Sequence, residues 1–241
     1  MGVLRILHVC VISLAACIAA QSAEAGDGPV YKAPPVIRTN VWSGCYIGAE
    51  GGGVWGLSRQ DAVGGPTITG DFGTTGSLIG GTVGCNYQTD NFVLGVEDDM
   101  SWTNASGGTF DLPPSFDPNT FSQTYQNWID TLRLRAGLPW DRWLGYVTGG
   151  AAFAGTGVSV CNTLGCVNDS ASRIGWTAGA GVEYALMGQW TLKVEYLYAN
   201  FGSASYVNPA TTVGGFTFVT RNVTLSDNIA RAGINYKFFG P

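Results

Sequence analysis

The stretch NWIDTLRLRAGL, residues 127–138, decides how this chain is read. Leucine and arginine alternate through Leu132, Arg133, Leu134 and Arg135, so Thr131, Arg133, Arg135 and Gly137 share one face of a strand with period two. Such a strand must set its leucines against an apolar medium and its guanidiniums where opposite charge can pair with them. FVLGVEDD, residues 92–99, supplies that opposite charge with the same period, as Gly95, Glu97 and Asp99.

Working outward, eight strand-like segments carry this alternation, near 42–56, 76–88, 92–102, 127–138, 144–155, 172–186, 190–202 and 227–238. Each is long enough for the roughly 9–11 tilted residues that cross a bilayer. Connectors alternate in size. Residues 89–91, 139–143 and 187–189 are short; 57–75, 103–126, 156–171 and 203–226 are long. Short turns on one side and long loops on the other characterise outer-membrane barrels.

Composition excludes the competing classes. Hydrophobic residues make up 45% of 241 and mean hydropathy is +0.13, yet only 12% are charged. That is about half the share of a soluble domain. Beyond residue 25 no run of 18 apolar residues could span as a helix, which leaves a closed barrel to satisfy every backbone group in lipid. A net charge of −5 without basic clusters excludes a nucleic-acid partner.

Alternation alone does not say which face points inward, and a soluble calycin-type barrel would alternate as well. Four features favour charge inside. The apolar faces (Cys45, Ile47, Ala49; Ile79, Val83, Cys85; Leu192, Val194, Tyr196) end in aromatics, and Trp42, Trp128, Trp140, Trp143, Trp176 and Trp190 suit interfacial girdles. The opposite faces combine glycine with charge, as in Gly48 with Glu50 and Gly179 and Gly181 with Glu183. Small residues fit the narrow bore of an eight-stranded barrel. The charges nearly balance: Glu50, Glu97, Asp99, Glu183 and Glu195 against Arg133, Arg135, Lys193 and Arg231, an expected charge network in the lumen. Finally, Gly233, Tyr236 and Phe238 form a polar-x-Gly-x-x-aromatic-x-aromatic ending like the signal read by the barrel-insertion machinery. Phe239-Gly240-Pro241 extends past the usual stop.

Residues 1–25 read as a cleaved signal peptide, with Arg5, an apolar core from Ile6 to Ala20, and Ala23-Glu24-Ala25 before Gly26. Leu14-Ala15-Ala16-Cys17 offers a rival lipoprotein box. Residues 26–41 read as a periplasmic linker and 42–238 as the barrel. Export places the remaining cysteines in an oxidising compartment. Cys161 and Cys166, in a loop, could close a short disulfide; Cys45 and Cys85 pair only if register sets them opposite each other.

WSGCYIGAEGGGVWG, FVLGVEDD, TLRLRAG, LGYVTGGAAFA, GWTAGAGVEYAL and WTLKVEYLYANFG resemble the small outer-membrane proteins of alphaproteobacteria, the porin-like surface antigens called outer-membrane immunogenic proteins. Their architecture is similar to the OmpA-type transmembrane barrel. The resemblance spans nearly the whole mature chain and implies an all-β, eight-stranded antiparallel up-and-down transmembrane barrel in the outer membrane of a Gram-negative bacterium. It implies lumen roles for Glu50, Glu97, Arg133, Arg135, Glu183, Lys193, Glu195 and Arg231, and a structural or weakly pore-forming role. Cys45, Cys85 and Asp98 depart from it, the last standing where a small residue is usual.

No catalytic, cofactor or metal site is expected. The sole histidine, His8, lies in the leader, so mechanisms that rely on histidine are absent after its removal. Glu97 and Asp99 are better placed to pair with Arg133 and Arg135 than to act as an acid–base couple. Gly51-Gly52-Gly53 precedes no helix and fails as a phosphate loop. The expected function is a structural, surface-exposed barrel in outer-membrane lipid. The alternatives are a small-solute or ion porin gated by the lumen charges, and an adhesin binding an unknown ligand through its extracellular loops.

Overall fold

The computed structural model describes residues 41–113, 118–206, 212–213, 216–217 and 220–239. The leader with Cys17, and the linker up to residue 40, lie outside them.

Eleven strands are present: β1 (Gly44–Ala62), β2 (Phe72–Gln88), β3 (Val93–Thr103), β4 (Ser106–Phe110), β5 (Phe121–Trp140), β6 (Trp143–Asn162), β7 (Gly165–Ala185), β8 (Trp190–Tyr206), β9 (Thr212–Val213), β10 (Phe216–Thr217) and β11 (Arg221–Phe239). Eight of them form a closed antiparallel ring. Chain neighbours pair in sequence, and β1 pairs with both β2 and β11, so no edge is left in the ring. The small β4 continues β3 beyond Asn104 and Ala105 and pairs with β5, while β9 and β10 pair only with each other. This is the eight-stranded barrel expected from the alternation.

The faces fall as the charges require. On β5 Leu134 is 71% exposed whereas Arg133 and Arg135 are buried, and the same contrast separates Val194 from Lys193 and Glu195 on β8. Trp140, Trp143, Trp190, Tyr236 and Phe238 mark the outer face at the short-turn end, and Trp55, Trp102 and Trp176 mark it toward the other end. Trp42 departs from the expected girdle. It is 3% exposed and packs with Val93, Leu144, Tyr146 and Ala185 inside the short-turn mouth. Its backbone N–H donates to Gln88 at 3.0 Å, and Lys237 donates to the Val41 carbonyl at 2.7 Å, which draws this segment under the barrel.

Tight turns close the short end. Trp140 and Trp143 pair directly around Asp141 and Arg142, and Asp141 takes φ 51°, a conformation aspartate tolerates better than most residues.

Seven of the eight ring strands, all but β3, have 17 to 21 residues and exceed what a bilayer needs. The excess corrects one expectation. Residues 156–171 are not a long loop: β6 and β7 run on as a ladder to Asn162↔Gly165. Asn162 accepts the N–H groups of Leu164 and Gly165 at 2.9 and 3.1 Å, closing the tip. Cys161 and Cys166 therefore sit opposite one another on strands and form a disulfide. Cys45 and Cys85 are also paired by register, between β1 and β2 on the outward face, and form the second disulfide.

Candidate functional site

Alternate residues of the ring point into its bore, and their chemistry changes in layers along the axis. Nearest the short turns is the apolar stopper around Trp42. Above it Arg135 is held between two tyrosines, its guanidinium 3.9 Å from the Tyr146 ring centroid and 5.9 Å from that of Tyr46. Arg135 donates to Glu183 at 2.7 Å and to Glu97 at 3.1 Å. Tyr46 donates to Glu97 at 2.5 Å, Tyr146 to Glu195 at 3.0 Å, and Asn235 to Glu183 at 3.0 Å.

Two glycines make room for those rings. A Cβ on Gly84 would stand 2.6 Å from Cζ of Tyr46, and one on Gly181 2.5 Å from Cζ of Tyr146. Each tyrosine thus lies over the backbone of a neighbouring strand, a close approach that only glycine permits.

The next layer is a continuous ion-pair network. Arg133 contacts Glu97 at 2.6 Å, Glu195 at 2.9 Å, and Asp99. Arg231 contacts Glu195 at 2.7 Å, Asp99 at 2.9 Å, and Glu50. Lys193 reaches Glu97 at 3.1 Å, Glu50 at 3.3 Å and Asp99 at 3.5 Å. Every carboxylate in this layer has more than one cation beside it. Such multiple, hydrogen-bonded pairing allows charges to stay ionised away from water. All nine charged residues singled out in the sequence (Glu50, Glu97, Asp99, Arg133, Arg135, Glu183, Lys193, Glu195 and Arg231) are buried in this one cluster.

Above the ions the bore turns apolar. Val54, Leu78, Ile129, Ala152, Ala154, Leu197, Ala199, Phe201, Leu225 and Ile229, with Ala105, form one buried cluster contributed by six of the eight ring strands. This layer was not foreseen, though its signal was present. Following the inward face past the charge leads from Glu50 to Val54, from Thr131 to Ile129, from Glu195 to Leu197, and from Arg231 to Ile229.

A second polar layer, also missed, lies beyond. Arg221 donates to Asp111 at 3.0 Å, to Gln60 at 2.9 Å and to Ser122 at 2.6 Å. Arg173 donates to Tyr206 at 3.0 Å, and Gln126 donates to the buried Asp227 at 2.6 Å. Most of these residues lie in stretches that read as loops. Arg173 and Asp227 instead stand at the starts of the expected strands 172–186 and 227–238, on the same parity as Glu183 and Arg231, which is the signal that could have found them.

The remaining sequence-marked positions lie elsewhere. Gly233 lines the inner face of β11, while Tyr236 and Phe238 point outward near its end. Among the described residues no group of three or more His, Cys, Asp or Glu is placed to hold a metal ion.

Comparisons agree with this geometry. The family model for the outer membrane protein beta-barrel domain matches residues 10–238. The 31 kDa outer-membrane immunogenic protein of Brucella melitensis is 31% identical over 249 residues, covering 95% of this chain and 98% of that one. The 25 kDa outer-membrane immunogenic protein of Brucella abortus is 30% identical over 237 residues, covering 98% and 97%. The 22 kDa outer membrane protein of Rhizobium leguminosarum bv. viciae is 29% identical over 179 residues, covering 71% and 70%.

Proposed function

We propose a role that starts from one premise: this chain belongs to the outer membrane protein β-barrel family, and its place is the outer membrane. Within that family it acts as a non-conducting structural barrel that displays its long-loop end at the cell surface, in the manner of a surface antigen. It performs no catalysis.

The observation that carries this reading is the filled bore. A permeating ion would have to displace the Arg133–Arg231–Lys193 network and then cross the apolar layer around Leu197 and Ile229. Breaking buried pairs costs roughly 3–5 kcal/mol for each partner removed. The bore of a small eight-stranded transmembrane barrel is just wide enough for side chains to fill it. The names of the Brucella relatives support surface display, and the ladder of β6 and β7 beyond the aromatic ring supports a rigid exposed end. Insertion through the β11 ending by the barrel-assembly machinery, after removal of residues 1–25, completes the proposed route.

Planar-bilayer recording tests the central point. The purified protein should give no steady conductance, and Arg133→Ala or Glu97→Ala should not create one of porin size. Steady single-channel steps in the native protein, changed in size by Arg133→Ala, would establish the porin alternative instead.

A further inference from the structure

The outward face between the two aromatic rings is apolar with one exception. Among the described residues, Asp98 on β3 and Asp130 on β5 are the charged side chains on it. Register sets Asp98 opposite Leu132 and Met100 opposite Asp130, so the two acids are diagonal neighbours on one face. Asp98 stands four residues from Leu94 and four from Trp102. At ~3.3 Å per residue on a tilted strand, that is roughly 10 Å from either rim. This is the depth at which lipid offers a carboxylate nothing, and an ionisable group there points to a partner.

A second, independent feature adjoins the pair. Gly81 faces outward, opposite Met100 on β3 and Ala49 on β1. A Cβ there would meet only the Gly48 carbonyl, at 3.5 Å, so packing does not demand glycine. Gly80, facing inward, differs: its Cβ would come within 2.7 Å of Ser101 Cα. A strand glycine is one device that lets a ligand approach the backbone closely, and Gly81, unlike the equally open Gly51, Gly53 and Gly149, adjoins the acidic pair. Over Gly81 the surface dips into an apolar dent of about 320 Å³, walled by Ile47, Val83, Met100 and Trp102 with Asp98 at its edge.

We propose that this dent docks a lipid-soluble organic ammonium, its apolar body over Gly81 and its cationic head on the Asp98–Asp130 pair. Charge complementarity selects the cation. A second copy of the chain would bring only the same two acids to this depth. A phospholipid ammonium stays at the level of the aromatic rings. Size argues against a protein, which would need about 800 Å² on each side, whereas a few hundred cubic ångströms suit a small molecule.

The proposal rests on the outer face meeting lipid, and its test keeps the two apart. Radiolabelled dodecylamine is partitioned into phosphatidylcholine vesicles with and without the reconstituted protein. The barrel should retain a saturable excess of the amine but none of dodecanol. Asp98→Asn with Asp130→Asn, and separately Gly81→Leu, should abolish the excess. Asp90→Asn, which removes a charge from a short turn, should leave it. Both lipid-face changes avoid the packed bore, and a retained gel shift on boiling confirms folding. Equal retention of dodecanol, an unchanged excess in the double Asn variant, or the absence of any excess overturns the docking site. Quenching of Trp102 by a nitroxide on the lipid chain would still report the face as lipid-exposed in each of those cases.

Discussion

At the scale of single residues, Arg133 is the junction of the molecule. Its guanidinium contacts Glu97, Asp99 and Glu195, carboxylates carried by strands on different parts of the ring. Arg133→Ala would leave those buried acids partly unneutralised. The expected loss is about 3–5 kcal/mol, read as a lower urea midpoint of the folded barrel in micelles. Arg133→Lys should recover only part of it, because one ammonium cannot reproduce the planar fork. Tyr46→Phe is a subtler probe. Removing one hydroxyl strips a hydrogen bond from Glu97 and one from Arg135, a cost of about 1–3 kcal/mol by the same assay. A midpoint unchanged in both Arg133→Ala and Tyr46→Phe would contradict the network as drawn. The charged members were legible in the sequence because glycine and charge recur with period two. Tyr46 was not. It shares the inward face with Gly48 and Glu50, but an aromatic beside Cys45 and Ile47 reads as part of the apolar side unless its parity is followed. Trp42 misled for a related reason: tryptophan at a strand start suits a girdle and a stopper equally, and only the fold of the chain beneath the barrel separates them.

At the scale of elements, the interest lies in how far the strands run past the membrane. Period-two contrast between apolar and polar faces reveals a strand only where one face meets lipid. Beyond the aromatic ring the pattern inverts. Val158 and Val160 on β6 pack inward with Tyr206 and Val223, while the outward positions carry small polar residues such as Ser159, so the membrane pattern is lost and the stretch reads as a loop. The two disulfides divide along the same line. Cys45–Cys85 spans 40 residues and Cys161–Cys166 only 5. Chain entropy then assigns the first about 4 kcal/mol and the second about 2 kcal/mol. The Cys45→Ser variant should therefore lower the unfolding midpoint more than Cys161→Ser, with both compared under oxidising conditions. The reverse order would mean that the β6–β7 tip, rather than the β1–β2 hairpin, limits the stability of the barrel.

At the scale of the whole molecule, the barrel is inverted relative to a soluble one. Ions and tyrosines fill the middle of the bore, an apolar layer caps them, and leucines, valines and aromatics face outward. The barrel class was readable because 12% charge with no spanning helix leaves few other structures that satisfy the backbone in lipid. The apolar cap went unread because buried and lipid-facing leucines look alike until register assigns them opposite faces. That ambiguity also supplies the sharpest test. With leucine, isoleucine and valine methyls labelled for NMR and the barrel in nanodiscs, a nitroxide on the lipid chains should broaden Leu132, Leu134, Val147 and Val194. Leu197, Leu225 and Ile229, equally apolar but inside, should stay sharp. Broadening of the second set with the first left sharp would contradict the orientation on which the fold, the sealed bore and the lipid-face site all depend.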